Sequence, residues 1–332
     1  MGQSQEHWSG ILATILKTPG EKQRLASALG IAPMTLNRWA SGDAKPQRAH
    51  LIKLVQVLQS EHRQALLEAL ELTYPDIQSW LRDDTTEQIP SSFFAQVLHE
   101  RTIITEGLRF WRISDMVLKH ALEQLDPNHL GMAVKLIQCM PPTKADGKVR
   151  SLRERMGKGT PPWTADLESD VHFLGLESMS GYAVEVRHIV KDDDVTKPSS
   201  IPVIRDPYEN SAAAHPIRLG GRIAGCLLAS SRQFNYFSQQ RLALLATFSD
   251  LLSLAFDRED FYDPAQIELR IMPTPEEQAP YLATFRERVT RKFQEVSPRH
   301  QHFNQAEIEQ QVWCEIEAEL LTLTGGTTSS EH

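Results

Sequence analysis

The chain has 332 residues, 41% of them hydrophobic and 23% charged, and carries a formal net charge of −8. That length asks for two or three domains, and the composition supports packed cores rather than a disordered or collagenous chain. No stretch approaches the roughly 20 apolar residues that span a bilayer, and Met1 to Gly20 lacks the basic start and apolar run of a secretion signal, so a cytoplasmic chain without membrane partners is expected. Cys139, Cys226 and Cys314 are too few and too widely spaced for a disulfide scaffold or a four-ligand zinc site. Reduced, buried thiols are expected, with no metal.

In chain order, the first informative segment is Gln23 to Leu58. Leu25, Ala26 and Leu29 recur at helical spacing, and Gly30 ends that helix. Ile31 re-enters the core before Leu36 and Trp39 restart the stripe. Over residues 1 to 60 the net charge is +4, which leaves −12 on the remainder. A basic module on an acidic chain fits localised phosphate contact, because a duplex would be repelled by the rest of the molecule.

This segment resembles the lambda-repressor or Cro type of helix-turn-helix domain. The resemblance rests on Leu25-Ala26, Gly30-Ile31, Thr35-Leu36-Asn37-Arg38-Trp39, Gly42, Pro46 and the apolar helix Leu51 to Leu58. It departs where Ala32 and Pro33 stand in place of a capping Ser and a Gln. Pro suits a first helical turn but offers no side-chain hydrogen bond, so readout must lean on Met34, Thr35, Asn37 and Arg38. The resemblance implies that the second helix enters the major groove of double-stranded DNA, with Thr35, Asn37 and Arg38 toward bases. Gln23, Lys45 and Arg48 are the phosphate candidates, with Lys22 and Lys53 behind them. The plainer readings are a solvated Arg38 or one paired with Asp43, and a core role for Trp39, which we adopt. The DNA-binding domain with its trailing helices is assigned to residues 1–82, and a linker to 83–94.

Beyond the linker, Val97, Ile104, Trp111, Leu118 and Leu125 recur every seven residues, with Phe94, Leu108 and Leu122 as companions. That spacing predicts one long helix, packed on a sheet or on a second subunit. GMAVKLIQCM and KVRSLRERM read as strands, followed by helix around Ser178 to Val190 and then SIPVIRD. Gly220-Gly221 supplies the positive φ angles of a two-residue hairpin joining Pro216 to Leu219 with Arg222 to Ser230. Phe237-Ser238 then opens a helix whose Leu244, Leu245, Phe248, Leu251, Leu252 and Ala255 share one face.

The order of elements, with Pro216-Ile217-x-Leu219-Gly220-Gly221-Arg222-Ile223-Ala224-Gly225-Cys226-Leu227-Leu228 and the closing Phe237-Ser238 helix, resembles a GAF domain over residues 95–257. The resemblance implies an α/β sensor or dimerisation module, an antiparallel sheet with covering helices. No asparagine-lysine-x-phenylalanine-aspartate run of the cyclic-nucleotide-binding group occurs. The residues it suggests for a pocket are Trp163, His172, Tyr182, Arg187, His188 and His215, although a structural or surface role is the commoner one for each His. Residues 258–324 follow as a helical extension and 325–332 as a disordered tail. His300-Gln301-His302 reads as a solvated turn, and Phe285, Val289, Phe293, Val312, Ile316 and Leu320 suit a helical hairpin.

The fold class expected is therefore multi-domain, an all-α helix-turn-helix domain followed by the α/β GAF-like domain and an α-helical tail. The function expected is a dimeric, sequence-specific transcription regulator, nucleoid-associated when bound to DNA and tuned by a small-molecule effector. Dimeric half-sites one turn apart hold recognition helices about 34 Å apart, so an effector that moves the subunits alters binding. The alternative is an interaction or scaffold protein that uses the same folds for protein partners. No cofactor is expected. One group of GAF-like proteins reduces methionine sulfoxide with paired cysteines, but the Cys spacing here offers no such pair, and a non-enzymatic chain is expected.

Overall fold

A computed structural model describes residues 8–58, 60–82, 88–167, 171–195, 205–296 and 305–325. His300 to His302, the tail beyond Gly325, and Ser200 to Ile204 of the SIPVIRD run lie outside the described residues. The chain divides into two compact units. The first takes the residues up to Thr86 together with Asp126–His129, and the second takes Glu87–Leu125 and everything from Leu130 on.

The first unit is helical: α1 (Trp8–Ile15), α2 (Glu21–Leu29), α3 (Pro33–Ala40), α4 (Arg48–Val57), α5 (Ser60–Thr73) and α6 (Ile77–Arg82). Leu12, Leu25, Leu36, Leu54, Leu66 and Leu70 are fully buried at its centre, and Trp39 joins them. The turn between α2 and α3 has a clear cause. Gly30 takes φ 69° as the left-handed residue that closes α2, and the Ile31 and Gly30 amides donate to the Ala26 and Ser27 carbonyls at 3.0 and 3.2 Å. Those paired bonds stop a helix sharply, and only a residue without Cβ adopts that φ freely. Pro33 then starts α3, where a missing N–H goes unnoticed, and Ala32 makes no side-chain cap. Arg63 ties the end of α4 in place, donating to the Val55 and Leu58 carbonyls at 2.9 and 2.7 Å.

The second unit opens with α7 (Ser91–Ile103) and α8 (Glu106–Leu125). The single long helix expected from the heptad stripe is thus two helices, broken where Ile104 turns extended. The face that packs in α8 is Ile113, Val117, Leu118, Ala121 and Leu125, one helical stripe, whereas Leu108 and Trp111 are largely exposed. Val97, Leu118 and Leu125 of the seven-residue series are buried and their companions Phe94 and Leu122 pack on the same core, whereas a seven-residue count drifts off the face of a 3.6-residue helix and so takes in Leu108 and Trp111 as well.

Six strands follow: β1 (Met132–Cys139), β2 (Leu152–Gly159), β3 (Phe173–Leu174), β4 (Val190–Asp192), β5 (Ser211–Leu219) and β6 (Arg222–Ser231). They form one antiparallel sheet in the order β3-β2-β1-β6-β5-β4. The β5–β6 turn is at Gly220 and Gly221, with φ 57° and 82°. Alternation sends Val134, Leu136, Ala213 and Leu227 to one face, beneath α8 and α10 (Gln239–Leu252), where Phe248 and Leu245 meet them. Ile137, Cys139, Ala212, Ala214 and Cys226 go to the other face, beneath α9 (Met179–Val186). Ser178 and Ser238 cap α9 and α10, each accepting from the amide three residues on.

The residues after α10 return to the sheet before becoming helical. The Val149 N–H donates to the Gln266 carbonyl and the Glu268 N–H to the Val149 carbonyl, both at 2.9 Å, and Leu269 and Met272 are buried. Then come α11 (Pro275–Ala283), α12 (Phe285–Val296) and α13 (Gln305–Gly325). Val312, Ile316 and Leu320 of α13 pack on Met140 and Phe173 of the sheet, and Phe285 stacks on Trp313 with centroids 3.9 Å apart. No described helix is long and apolar enough to cross a membrane.

Candidate functional site

On α3, Leu36 and Trp39 point into the core, which turns the residues between them outward. Met34 is 67% exposed, Arg38 is exposed, and Thr35 and Asn37 are half-buried. Asp43 does not pair with Arg38; its carboxylate accepts from the Ser41 hydroxyl at 2.6 Å. Gln23 and Lys45 are exposed as well. Arg48 is exposed, but its guanidinium lies over the Trp80 ring, 5.2 Å from the centroid. A cation held on an aromatic face is less free to follow a phosphate than Lys45 is.

In the second unit, a cavity of about 370 Å³ lies on the α9 face of the sheet. Its floor is charged. Lys135 of β1 holds Glu154 of β2 at 3.0 Å, and the other Glu154 oxygen lies 3.1 Å from His172 Nδ1. Burial alone would push the Glu154 carboxyl up, but Lys135 and His172 outweigh it and hold the group below its ordinary range. Across the cavity, Glu209 is 8% exposed and accepts from the Ser230 hydroxyl at 2.5 Å. Burial there wins over the hydroxyl and the nearby Arg205 and pushes Glu209 up to about 7. Arg205 donates to Asp192 at 2.8 Å through one nitrogen, and its Nη1 is buried without a partner among the described residues. Gln278 of α11 closes the side. Its amide accepts from the Phe173 N–H and donates to the Phe173 and Pro273 carbonyls, each at 2.8 Å.

Of the six pocket residues expected from the sequence, His172 lines this cavity. Trp163 is buried against Ala133 and Leu167 instead. Tyr182, Arg187 and His188 are exposed, and Arg187 ends α9 at φ 61°. His215 is 6% exposed with Nδ1 unpartnered, and burial followed by the Arg218 charge lowers its pKa. The sequence reading missed Lys135, Glu154, Glu209 and Ser230. The available signal was charge inside strands: Lys135 and Glu154 sit at positions where an alternating buried strand would carry hydrophobic residues.

All three thiols are free, and Cys139 and Cys226 are fully buried. Burial raises the pKa of each; Cys226 reaches about 12. Among the described residues no group of His, Cys, Asp and Glu forms a metal site.

No family model matches the chain, and no curated protein matches it. Solved structures similar to it include the type II free methionine-R-sulfoxide reductase of Thermoplasma acidophilum, at 19% identity over 47% of this chain and 99% of that one, with a TM-score of 0.34. The GAF domain of an Acinetobacter phosphoenolpyruvate-protein phosphotransferase is 15% identical over 49% of this chain and 90% of its own, with a TM-score of 0.32. The GAF-B domain of DevS from Mycobacterium smegmatis is 17% identical over 44% and 91%, with a TM-score of 0.30. At scores below 0.5 the likeness assigns no activity, ligand or site to this chain. It does correct one expectation. Enzymes stand among the similar structures, the free methionine-R-sulfoxide reductases of three sources, so the exclusion of enzymatic activity is withdrawn.

Proposed function

We propose that the chain is a sequence-specific DNA-binding regulator that acts as a dimer, reading its operator with α3 of a lambda-repressor-type helix-turn-helix and tuned by a small polar molecule in a GAF-like second unit. One observation carries the reading. The outward face of α3 presents Met34, Thr35, Asn37 and Arg38 while Leu36 and Trp39 anchor the helix, and Arg38 has no ion pair among the described residues. An Arg or Asn side chain in that state is available to pair with guanine or adenine in a major groove. The charge distribution supports it, since residues 1–60 carry +4 on a chain of −8. The cavity between Lys135, Glu154 and Glu209 supports the effector, because it offers both signs of charge and a carboxyl raised to about 7 within one concave volume.

The test is selection of bound fragments from sheared genomic DNA by the purified full chain, at two salt concentrations, beside Asn37→Ala/Arg38→Ala. Arg38 is exposed and Asn37 half-buried, neither in the core, so the double variant is expected to fold as the wild type does. A two-fold-symmetric motif lost in the variant is the expected result. Equal recovery without any enriched motif would refute the regulator reading.

A further inference from the structure

The opposite face of the sheet holds a second cavity, of about 380 Å³, under Phe110 of α8 and beside Gln310 of α13. Its strand residues come from β1 and β2, where the register slips between Leu136 and Ile137, so that Arg155 is the extra residue of a bulge. Arg153 pairs across from Gln138, and Arg155 donates to the Gln138 amide oxygen at 2.6 Å. Two guanidiniums therefore enter one cavity. Arg155 lies over the Phe110 ring at 4.6 Å, and Arg153 over the Trp313 ring at 4.3 Å.

Arg153 is the unusual group. It is 4% exposed, its Nε is buried without an acceptor, and it makes no hydrogen bond or ion pair among the described residues. Burial and then the like charge of Arg155 lower its pKa, which is the signature of a cation whose field has not been answered. A buried guanidinium ordinarily meets a carboxylate, because leaving its fork of N–H donors unfilled is expensive. Asp260, Glu309 and Glu317 are near enough to act on the two charges, but the Asp260 carboxylate is taken up by Gln138 and by the Asp257 amide, and Glu317 by Ser151. They moderate the charge without supplying oxygens to the fork.

We propose that this cavity binds a small monocarboxylate with a flat apolar body, its two oxygens on Arg153 and its body against Phe110, Met140 and Tyr262. The planar fork fits two carboxylate oxygens side by side. The acidic neighbours leave room for one negative charge and disfavour a phosphate dianion. The apolar wall gives the rest of the molecule something to bury.

Benzoate serves as the probe, in isothermal titration of the full chain at constant ionic strength, with inorganic phosphate and chloride as separate arms. Benzoate should saturate one site per chain, with phosphate at least tenfold weaker and chloride without a saturable signal. Arg153→Met should weaken benzoate at least tenfold without lowering the melting temperature, since it removes an unanswered buried charge. Arg153→Lys, which keeps the charge and loses the fork, should weaken it several-fold and provides the second variant if the first does not fold. Absence of saturable benzoate binding, phosphate binding as tight as benzoate, or full affinity in Arg153→Met or Arg153→Lys would each overturn the proposal.

Discussion

Replacing Glu209 by Gln should make the protein more stable above neutral pH and remove part of its pH dependence. Glu209 is a carboxyl whose ordinary pKa of 4.5 is pushed to about 7 by burial, against the opposing pull of Ser230 and Arg205. In the window between those values the unfolded chain has lost the proton while the native state keeps it. The native state then binds more protons, so the stabilisation is complete below the unfolded pKa and is lost as pH rises through the folded one. The difference amounts to about 3 kcal/mol between pH near 4.5 and pH above 7.5. Gln keeps an acceptor for the Ser230 hydroxyl and has no proton to lose. Glu317 of α13, buried and held by the Ser151 hydroxyl at 2.6 Å, is also pushed to about 7 and contributes a loss of the same sign. His120 and His215, whose burial lowers their pKa, give the opposite slope below the ordinary imidazole value, so the quantity to read is wild type minus variant. Urea unfolding of the full chain at several pH values, followed by circular dichroism, measures it. A Glu209→Gln variant that tracks the wild type at every pH would show that Glu209 is ionised in the native state, and the reasoning about the cavity would fail with it.

Two further substitutions test the frame that holds these sites. Gln278→Ala should destabilise the second unit by about 2–4 kcal/mol, because the buried Phe173 N–H and C=O lose their partner, and hydrogen exchange at Phe173 should rise before the rest of the sheet. Leu36→Ala removes a fully buried anchor of α3 and should lower the stability of the first unit by about 3 kcal/mol, read by thermal melting, with DNA affinity falling as the helix loses its seat.

What the sequence disclosed was whatever local chemistry enforces. Gly30 had to end α2 because the next residue returns to the core, and Gly220-Gly221 had to turn the chain because two apolar alternating runs flank it. The buried sides of α3 and α10 were equally readable, from Leu36 and Trp39 and from Leu244, Leu245 and Phe248. Periodicity failed where a short interruption mattered: Ile104 breaks the long helix, and nothing in the seven-residue count registers it. The cavity failed for another reason. His residues drew attention by their chemistry, whereas the groups that form the site were a Lys, two Glu and a Ser placed by strand pairing between positions 19 to 95 residues apart. Pairing is a long-range fact that local pattern does not encode.

The bulge in β2 shows how such pairing creates chemistry. A regular strand would set Glu154 on one face, Arg153 and Arg155 on the other, and Met156 back with Glu154. One extra residue opposite Ile137 returns Met156 to the core on the α8 side, where it pairs across from Leu136, without moving Glu154 from Lys135. Arg153 and Arg155 share the face of Gln138, as alternation requires, under an aromatic lid. Alternation along β2 thus places an acid in one cavity and two bases in the other, back to back across a single strand, and the bulge restores Met156 to the core beside them. A ligand bound in either cavity draws on β2, so occupancy of one site is expected to alter affinity at the other by the same factor in both directions. Titrating benzoate into wild type and into Lys135→Met, which leaves Glu154 on the far face with His172 alone, reads whether the strand transmits such a change: identical affinities would mean that it is rigid enough to keep the two faces independent.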